Sequence, residues 1–459
     1  MSVSVSSTSP NALLNVSILQ NNLNFNAQTL MDHSPSVESA LDSVAADPRD
    51  PEPPEEGRNV NRASILSSSF NLSNTVLGAG ILTLPYNLMN CGWLLGMFFL
   101  VLIGVSSALS FYLLTVASDV TKMYQYRDIA RVLYKPWFSH LVAVMVAIYT
   151  LGTIGSYSIV LRDNMFWWAE DTPANASNKR GMLWAMVCLI VFPLSLLPRI
   201  DFLNFTSLVA IVSILYIIFV VVGFFVLTTF DKTKYIAKGP PQVFNWSINA
   251  LTSFPLFTTA FCGHYNSLNI YKELNNRSIK RMNIVICITV IVTSLFNSVM
   301  ALFGYFTFTD LLHSDILKNI AEIPGASVIF YIANSAMILV MLFSYPLLCY
   351  GLRCTIESMF YSPGQKIPYK WRLLIIMLNV FLPAIVATFV DSIADILSFT
   401  SSLCGSPMVF IFPGMFGYSV TKRFGGPKHR YISSLSIIVL GIFYTISGFG
   451  SAVYSVVSR

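Results

Sequence analysis

Long apolar runs recur along the chain from Ile65 onward, and they limit the possible folds more than any other feature. Eleven are long enough to cross the ~30 Å hydrocarbon core of a bilayer. They cover residues 65–88, 92–117, 137–161, 182–198, 205–228, 247–270, 282–308, 326–350, 371–390, 393–417 and 432–456. The runs are continuous and lack the alternation of barrel strands. The sequence therefore predicts an all-α polytopic membrane protein with eleven transmembrane helices.

The composition indicates the same class of protein. Hydrophobic residues make up 54% of the chain and charged residues only 11%, against roughly 25% charged residues in a soluble domain. So few charges cannot cover a water-exposed surface, so we expect the lipid bilayer to surround most of the chain. The Lys and Arg residues are scattered over loops and form no basic face, so we expect no nucleic-acid partner.

The first 61 residues differ from the rest of the chain. They are rich in Ser, Asn, Pro and acidic residues, and 47–56 alternates prolines with charges. Such a segment cannot bury enough apolar surface to fold. We therefore expect a disordered N-terminal tail over 1–61 and a transmembrane domain over 62–459.

Lys and Arg are divided unevenly between the two sets of loops. The tail and the loops after the second, fourth, sixth, eighth and tenth runs hold twenty of the 28. Because these residues concentrate on the cytosolic side, we expect a cytosolic N-terminus and, after eleven crossings, an extracellular or lumenal C-terminus. The sequon at Asn175 falls on that outer side, so we expect a glycan there.

Glycines and polar residues interrupt the first and sixth runs at mid-depth. The first contains Gly78-Ala79-Gly80 after a stretch of Asn, Ser and Thr, and the sixth contains Phe261-Cys-Gly263-His264. Paired interruptions in two five-helix halves indicate an inverted-repeat transporter. The repeats would cover about 64–228 and 247–418, with an extra helix at about 432–456. The alternative is that Gly78 and Gly80 are close-packing sites between helices.

Broken membrane helices have a specific binding chemistry. Unwinding leaves one half-helix with free N–H groups, which suit a carboxylate, and another with free carbonyl groups, which suit an ammonium group or a metal cation. An amino acid carries both charges within a few ångströms. Two facing breaks could therefore bind an amino acid through backbone groups alone.

At these segments the chain resembles the amino acid/auxin permease family, in particular its sodium-coupled neutral amino acid transporters and vacuolar amino acid transporters. The resemblance covers 62–459. The motifs that carry it are Phe70-Asn-Leu-Ser-Asn-Thr-Val-Leu-Gly-Ala-Gly-Ile-Leu-Thr-Leu-Pro-Tyr86, Phe261-Cys-Gly-His264, Tyr126-Arg-Asp-Ile-Ala130 and Ile411-Phe-Pro-Gly414. The resemblance implies a LeuT-like 5+5 inverted repeat plus one helix, with helices 1 and 6 broken.

The resemblance also assigns site residues. It implies that Gly78, Ala79 and Gly80 face the substrate carboxylate and that the backbone from Phe261 to Gly263 faces the amine. Tyr157, in the third run, is a further candidate, because its hydroxyl group can bind the carboxylate from the side.

Four residues are candidates for ion binding or coupling. The resemblance implies a sodium site at Asn74 and Ser344, and Thr75 follows Asn74 directly. Hard oxygen ligands suit an alkali cation, but an Asn–Ser pair does not by itself distinguish sodium from proton coupling. His264 is the only His deep in a run. It is either a proton relay or a neutral side chain that donates to a carbonyl freed by the break.

The predicted function is secondary active transport of neutral L-amino acids by alternating access, coupled to a sodium or proton gradient. The alternative is an amino acid sensor that signals through its tail. No phosphate-binding loop is present, and the scattered His and few membrane acids do not indicate an enzyme. We expect no cofactor and a monomeric transport unit, in the plasma membrane or a lysosomal or vacuolar membrane.

Overall fold

The computed structural model describes residues 63–166, 176–196, 203–230, 239–246, 248–323, 327–361, 367–390 and 392–457. The predicted disordered tail and the sequon at Asn175 lie outside these residues. Both therefore remain predictions.

The described part of the chain is built from α-helices. They are α1 Ile65–Leu77, α2 Leu84–Cys91, α3 Trp93–Thr121, α4 Tyr126–Leu133, α5 Pro136–Phe166, α6 Ala176–Met186, α7 Phe192–Ser195, α8 Leu203–Phe230, α9 Ile248–Thr259, α10 His264–Glu273, α11 Ile279–Phe308, α12 Ile316–Ala321, α13 Ser327–Phe360, α14 Tyr369–Phe389, α15 Ile393–Thr400, α16 Phe412–Phe424 and α17 Lys428–Val457. Among the described residues, the only extended pairing is one isolated bridge between Ala63 and Leu274. The predicted all-α class is confirmed.

Eight helical segments within the described ranges are long and apolar enough to cross a membrane. They are α3, α5, α8, α11, α13, α14, the continuous segment from α15 to α16, and α17. The segment from α15 to α16 stays helical through two π-helical turns at Ser401–Gly405 and Pro407–Ile411. The chain is therefore a multi-pass membrane protein, while the count of eleven crossings remains a prediction.

The other candidate crossings are composed of shorter helices. A 3-10 turn at Ala79–Thr83 lies between α1 and α2. Residues 260–263 are non-helical and separate α9 from α10. A π-helical turn at Val187–Val191 joins α6 to α7. The first and sixth apolar runs therefore each form two short α-helices that follow one another along the chain and are separated by the interruption.

These two interrupted segments are antiparallel and are hydrogen-bonded at both ends. At the start of α1, the Ala63 N–H donates to the Glu273 carbonyl at 3.1 Å. At the end of α2, the Asn245 N–H donates to the Cys91 carbonyl at 2.9 Å. We call the face of the bundle at Ala63 the tail side and the face at Cys91 the far side. This double attachment holds the two interruptions at the same depth.

The long helices surround this central pair. Helix α11 packs against α1, α2 and α3, whereas α13 packs against α5 and α8. Helix α17 packs against α9 and α16. The two interruptions consequently lie inside the bundle and away from lipid, which is where irregular backbone is tolerated in a membrane protein.

Candidate functional site

The two interruptions are in direct contact. A Cβ atom at Gly80 would lie 3.3 Å from Cγ2 of Thr259 and 3.5 Å from the backbone nitrogen of Ala260. The absence of a side chain at Gly80 therefore lets the first interruption approach the backbone of the second. At Gly263, an added Cβ would lie 2.7 Å from Cγ2 of Val76, so a second glycine fits closely against α1.

The first interruption presents N–H groups. Helix α1 ends at Leu77, and the chain resumes a helical path at Ala79 in the 3-10 turn that leads into α2. The N–H groups of a helix's first turn have no partner within that helix. The half-helix that begins at Ala79 therefore directs a partial positive charge into the interior of the bundle.

The second interruption presents carbonyl groups, and two of these are already bonded. The Ala260 carbonyl accepts a hydrogen bond from Nδ2 of Asn297 at 3.0 Å, and the Phe261 carbonyl accepts one from the hydroxyl group of Ser107 at 3.1 Å. Asn297 and Ser107 are fully buried. Just before them, the Thr258 and Thr259 carbonyls accept short-range hydrogen bonds from the Phe261 and Cys262 N–H groups. A carbonyl oxygen has two lone pairs, so these two can each accept a further donor.

A narrow cavity lies between the interruptions. The space open to the centre of a water molecule is about 10 Å³, which is room for about one water molecule, so a larger solute enters only when the walls move apart. None of its described lining residues is charged. They are Thr75, Val76, Gly78, Ala79, Gly80, Tyr149, Thr153, Ser156, Tyr157, Thr259, Cys262, Tyr265 and Leu397.

Helix α5 forms one wall of the cavity. Tyr149, Thr153, Ser156 and Tyr157 all line it, and their spacing places them on one face of a helix. The hydroxyl oxygen of Tyr157 would lie 2.7 Å from a Cβ at Gly78. This wall therefore adds a phenol group beside the N–H groups of the first interruption.

The structure brings together five of the predicted site residues. Gly78, Ala79, Gly80, Tyr157 and Thr75 all line the cavity. Thr75 also connects the two interrupted segments, because its hydroxyl oxygen accepts a hydrogen bond from Nδ2 of Asn266 at 3.0 Å.

The structure places only part of the predicted Phe261–Gly263 segment at the cavity. Phe261 and Gly263 are not among the cavity-lining residues, whereas Thr259 and Cys262 are. The physical reason is that the Phe261 carbonyl turns away to Ser107, and the Phe261 ring packs against Gly104, where a Cβ would lie 3.1 Å from it. The cavity thus meets Thr259 at the end of α9 and, after it, Cys262 and Tyr265.

His264 also lies outside the cavity lining. Its ring is fully buried and stacks on Phe111, with centroids 3.7 Å apart and an interplanar angle of 6°. Neither ring nitrogen has a hydrogen-bond partner among the described residues. The expected donation to a freed carbonyl is therefore not seen, and the contact that the structure shows for this ring is an aromatic one.

Asn74 and Ser344 are not joined by a hydrogen bond in the structure. Nδ2 of Asn74 donates to the hydroxyl oxygen of Ser207 on α8 at 3.3 Å, and Oδ1 of Asn74 is buried without a partner. Ser344 lies half-buried on α13, and α8 packs against both α1 and α13. The free Oδ1 of Asn74 suits a cation, while a shared ligand set with Ser344 remains a prediction.

Several lining residues were not predicted from the sequence. Tyr149, Thr153 and Ser156 share a helical face with Tyr157, so the spacing alone could have identified them. Tyr265 and Leu397 have no such signal, because they reach the cavity only through the packing of α10 and α15.

The residues that line the cavity differ in exposure. Thr75, Gly78, Thr153 and Tyr265 are half-buried, whereas the lining residues Val76, Ala79, Gly80, Tyr149, Cys262 and Leu397 are buried.

Comparison with known proteins supports this description. The chain is 26% identical over 380 residues to the vacuolar amino acid transporter 5 of Schizosaccharomyces pombe, which covers 80% of this chain and 87% of that protein. It is 25% identical over 435 residues to the amino acid transporter AVT6E of Arabidopsis thaliana, which covers 88% of this chain and 86% of that protein.

A solved structure shows the same fold. The manganese transporter of Eremococcus coleocola superposes with a TM-score of 0.62 at 12% sequence identity, covering 84% of this chain and 86% of that chain. At this identity only the fold is comparable. Among the residues described here, no group of three or more His, Cys, Asp or Glu side chains could hold a metal ion.

The family model described as transmembrane amino acid transporter protein matches residues 61–455, which is most of the 459-residue chain. Its members are membrane transporters rather than enzymes, as the sequence predicted. The resemblance to amino acid permeases is thereby confirmed, and the chain belongs to the transmembrane amino acid transporter protein family.

Proposed function

We propose that this protein is a secondary active transporter of neutral L-amino acids that works by alternating access and is driven by a sodium or proton gradient. The observation that carries the proposal is the uncharged cavity between the two interrupted segments. Its ends differ in partial charge, because N–H groups border it at Ala79 and carbonyl groups border it at Thr259.

The two ends of an amino acid fit the two ends of the cavity. We assign the carboxylate to the N–H groups that follow Gly78, with the Tyr157 hydroxyl group as an additional donor. We assign the ammonium group to the carbonyl group of Thr259, which has a second lone pair. The backbone thus binds the part that all amino acids share.

The side chain of the substrate would face Tyr149, Cys262, Tyr265 and Leu397 on the remaining walls. None of these residues carries a charge at neutral pH, so a charged substrate side chain would be desolvated without a partner. Such desolvation costs several kcal/mol. Neutral substrates are therefore favoured over acidic and basic ones.

Two assignments for coupling remain part of the proposal. A sodium ion would use Oδ1 of Asn74, which is buried without a partner, together with the Ser344 hydroxyl group. A proton would use His264 instead. The residue chemistry allows either ion, so the two are separated by experiment.

The proposed topology has eleven crossings arranged as a 5+5 inverted repeat plus one helix. The tail side is cytosolic, and the far side with the C-terminus is extracellular or lumenal. The yeast relative is named a vacuolar transporter, which supports a vacuolar or lysosomal membrane alongside the plasma membrane. The proposed transport unit is a single chain.

Uptake into proteoliposomes tests the proposal. Purified protein is reconstituted, and a panel of labelled neutral, acidic and basic amino acids is offered under an imposed sodium gradient, an imposed proton gradient or neither. We expect concentrative uptake of neutral L-amino acids under one of the gradients. A protein that binds a neutral amino acid but gives no flux under any gradient would be the sensor instead.

A further inference from the structure

A cluster of charged side chains lies on the far side of the bundle, outside the cavity. It consists of Arg162 and Asp163 near the end of α5 and Lys318 on α12. Oδ1 of Asp163 accepts a hydrogen bond from Nε of Arg162 at 2.9 Å, and Oδ2 lies 2.6 Å from Nζ of Lys318. One carboxylate therefore joins two cations from two different helices.

The cluster is shielded from solvent. The side chains of Arg162 and Asp163 are only 5% and 10% exposed, and that of Lys318 is 28% exposed. Charge pairs shielded in this way are screened much less than exposed pairs, which contribute little. The Asp163–Lys318 pair is therefore strong enough to affect a conformational equilibrium.

Arg162 extends the cluster to a third helix. Its Nη1 donates to the carbonyl oxygens of Ala387 at 2.6 Å and Val390 at 3.2 Å, at the end of α14. The guanidinium group thus satisfies carbonyl groups that a helix C-terminus leaves unpaired. Helices α5, α12 and α14 are consequently connected through Asp163 and Arg162.

Helix α12 packs on the far side of the first interruption. It contacts the 3-10 turn at Ala79–Thr83, which is entirely buried. Its residue Ile316 packs with Pro85 around Gly304, where an added Cβ would lie 2.6 Å from side-chain atoms of both. For a solute to reach the cavity from the far side, α12 has to move away from α2 and α5.

We propose that the ion pair between Lys318 and Asp163 is a latch that holds α12 over the cavity and keeps the far side closed. Arg162 is a positioning residue, because it orients Asp163 and ties it to the end of α14. The inference rests on the alternating access proposed above, in which the far side opens once per cycle. Opening then requires Lys318 to leave Asp163.

Cys262 provides a native reporter for the test, because it lines the cavity and is buried. Vesicles are prepared in which an N-terminal tag is sealed inside, so that a membrane-impermeant thiol reagent in the medium reaches only the far side. Labelling of the peptide that contains Cys262 is followed by mass spectrometry. This readout does not depend on transport, so it can fail or succeed independently of the proposed function.

Lys318→Met removes the latch cation and leaves Asp163 paired with Arg162, so the fold keeps a neutralised carboxylate. We expect Cys262 to be labelled about fivefold faster or more, which is the lower end of typical conformational coupling. Lys318→Arg should keep the wild-type rate, because it retains the charge. Glu322→Gln is the matched control. Glu322 forms an exposed ion pair with His313 on the same loop, and we expect its substitution to leave the rate of Cys262 labelling unchanged.

A second variant covers the case in which Lys318→Met expresses poorly. Asp163→Asn removes the other half of the latch and should accelerate labelling in the same direction. In the double variant the two effects should not add, because both remove the same interaction. Unchanged labelling in both single variants, or full additivity in the double variant, would overturn the latch.

Discussion

The hydroxyl oxygen of Tyr157 lies against Gly78, so close that a Cβ at this glycine would be 2.7 Å from it. Tyr157 belongs to α5, whereas Gly78 ends α1 at the first interruption. The pair sets the distance between a helix of the cavity wall and the N–H groups proposed to bind the carboxylate. It therefore provides a direct test of the site.

Gly78→Ala should reduce amino acid uptake at least about tenfold. The new methyl group displaces the Tyr157 hydroxyl group from its place beside the interruption, and a misplacement of about 1 Å in a binding site commonly costs this much or more. The effect should appear mainly as a raised KM, measured as initial uptake rates over a range of substrate concentrations.

Tyr157→Phe is the partner variant, because it removes the hydroxyl oxygen that the new methyl group of Gly78→Ala would contact. The double variant should be no worse than Tyr157→Phe alone. Gly223→Ala is the matched control, since nothing lies within 4 Å of a Cβ there, and its uptake should equal that of wild type. Losses that simply add would mean that Gly78 and Tyr157 act separately.

His264→Gln should lower the rate of uptake but leave the shape of its pH profile unchanged. The ring is stacked on Phe111 and neither nitrogen has a partner among the described residues, so its contribution is packing. Phe111→Leu removes the same contact and should lower the rate similarly. A flattened pH profile in His264→Gln, with normal expression, would instead show that this residue carries the coupling proton.

Asp315, on the far-side loop between α11 and α13, should make the fold more stable in acid. The pKa of its carboxyl group is raised from 3.8 to about 6, chiefly by burial and to a smaller extent by Asp163, against the lowering effects of Lys318, the Leu317 N–H group and His313. Because the folded-state pKa is raised, this group's stabilising contribution is complete below pH 3.8 and is lost as the pH rises through about 6.

The size of this effect follows from the shift, which corresponds to about 3 kcal/mol at most. Thermal unfolding of the purified protein should give a higher Tm at pH 5 than at pH 8. Asp315→Asn keeps an oxygen for the Leu317 N–H group and should remove most of this difference, while Glu322→Gln on the same loop should not. A wild-type Tm that rises from pH 5 to pH 8 would contradict the assignment.

The helical class and the positions of the apolar helices could be predicted from the sequence because the bilayer imposes a length and a continuous hydrophobicity on every crossing. The interruptions at Gly78 and near Gly263 were also visible, since glycines and polar residues are conspicuous in an apolar run. The residues at the first interruption lie beside the cavity, and their role in binding stays a prediction.

The orientation of the second interruption could not be predicted. Whether the Phe261 carbonyl faces the cavity depends on Ser107, which lies 154 positions away in sequence and donates to it from α3. The same limit applies to Leu397, which reaches the cavity through the packing of α15. Contacts between distant segments leave no pattern within a single segment, so only the structure reveals them.

The contact between Asp163 and Lys318 could not be predicted from the sequence either. The two residues belong to α5 and to a loop helix, and nothing in their local sequence relates them. A single charged residue near the end of an apolar run predicts an interface position and no more. Their 2.6 Å contact depends on how α12 covers the bundle.

Competition between a labelled neutral amino acid and its modified analogues tests most directly whether the two interruptions bind opposite charges. The analogues are the same amino acid with its carboxylate converted to an amide and with its amine acetylated, each offered in excess during uptake. Both should compete about 100-fold more weakly than the unmodified amino acid, since each lacks one charge that the backbone recognises. If either analogue competes as well as the unmodified amino acid, the interruption assigned to the missing charge does not bind it.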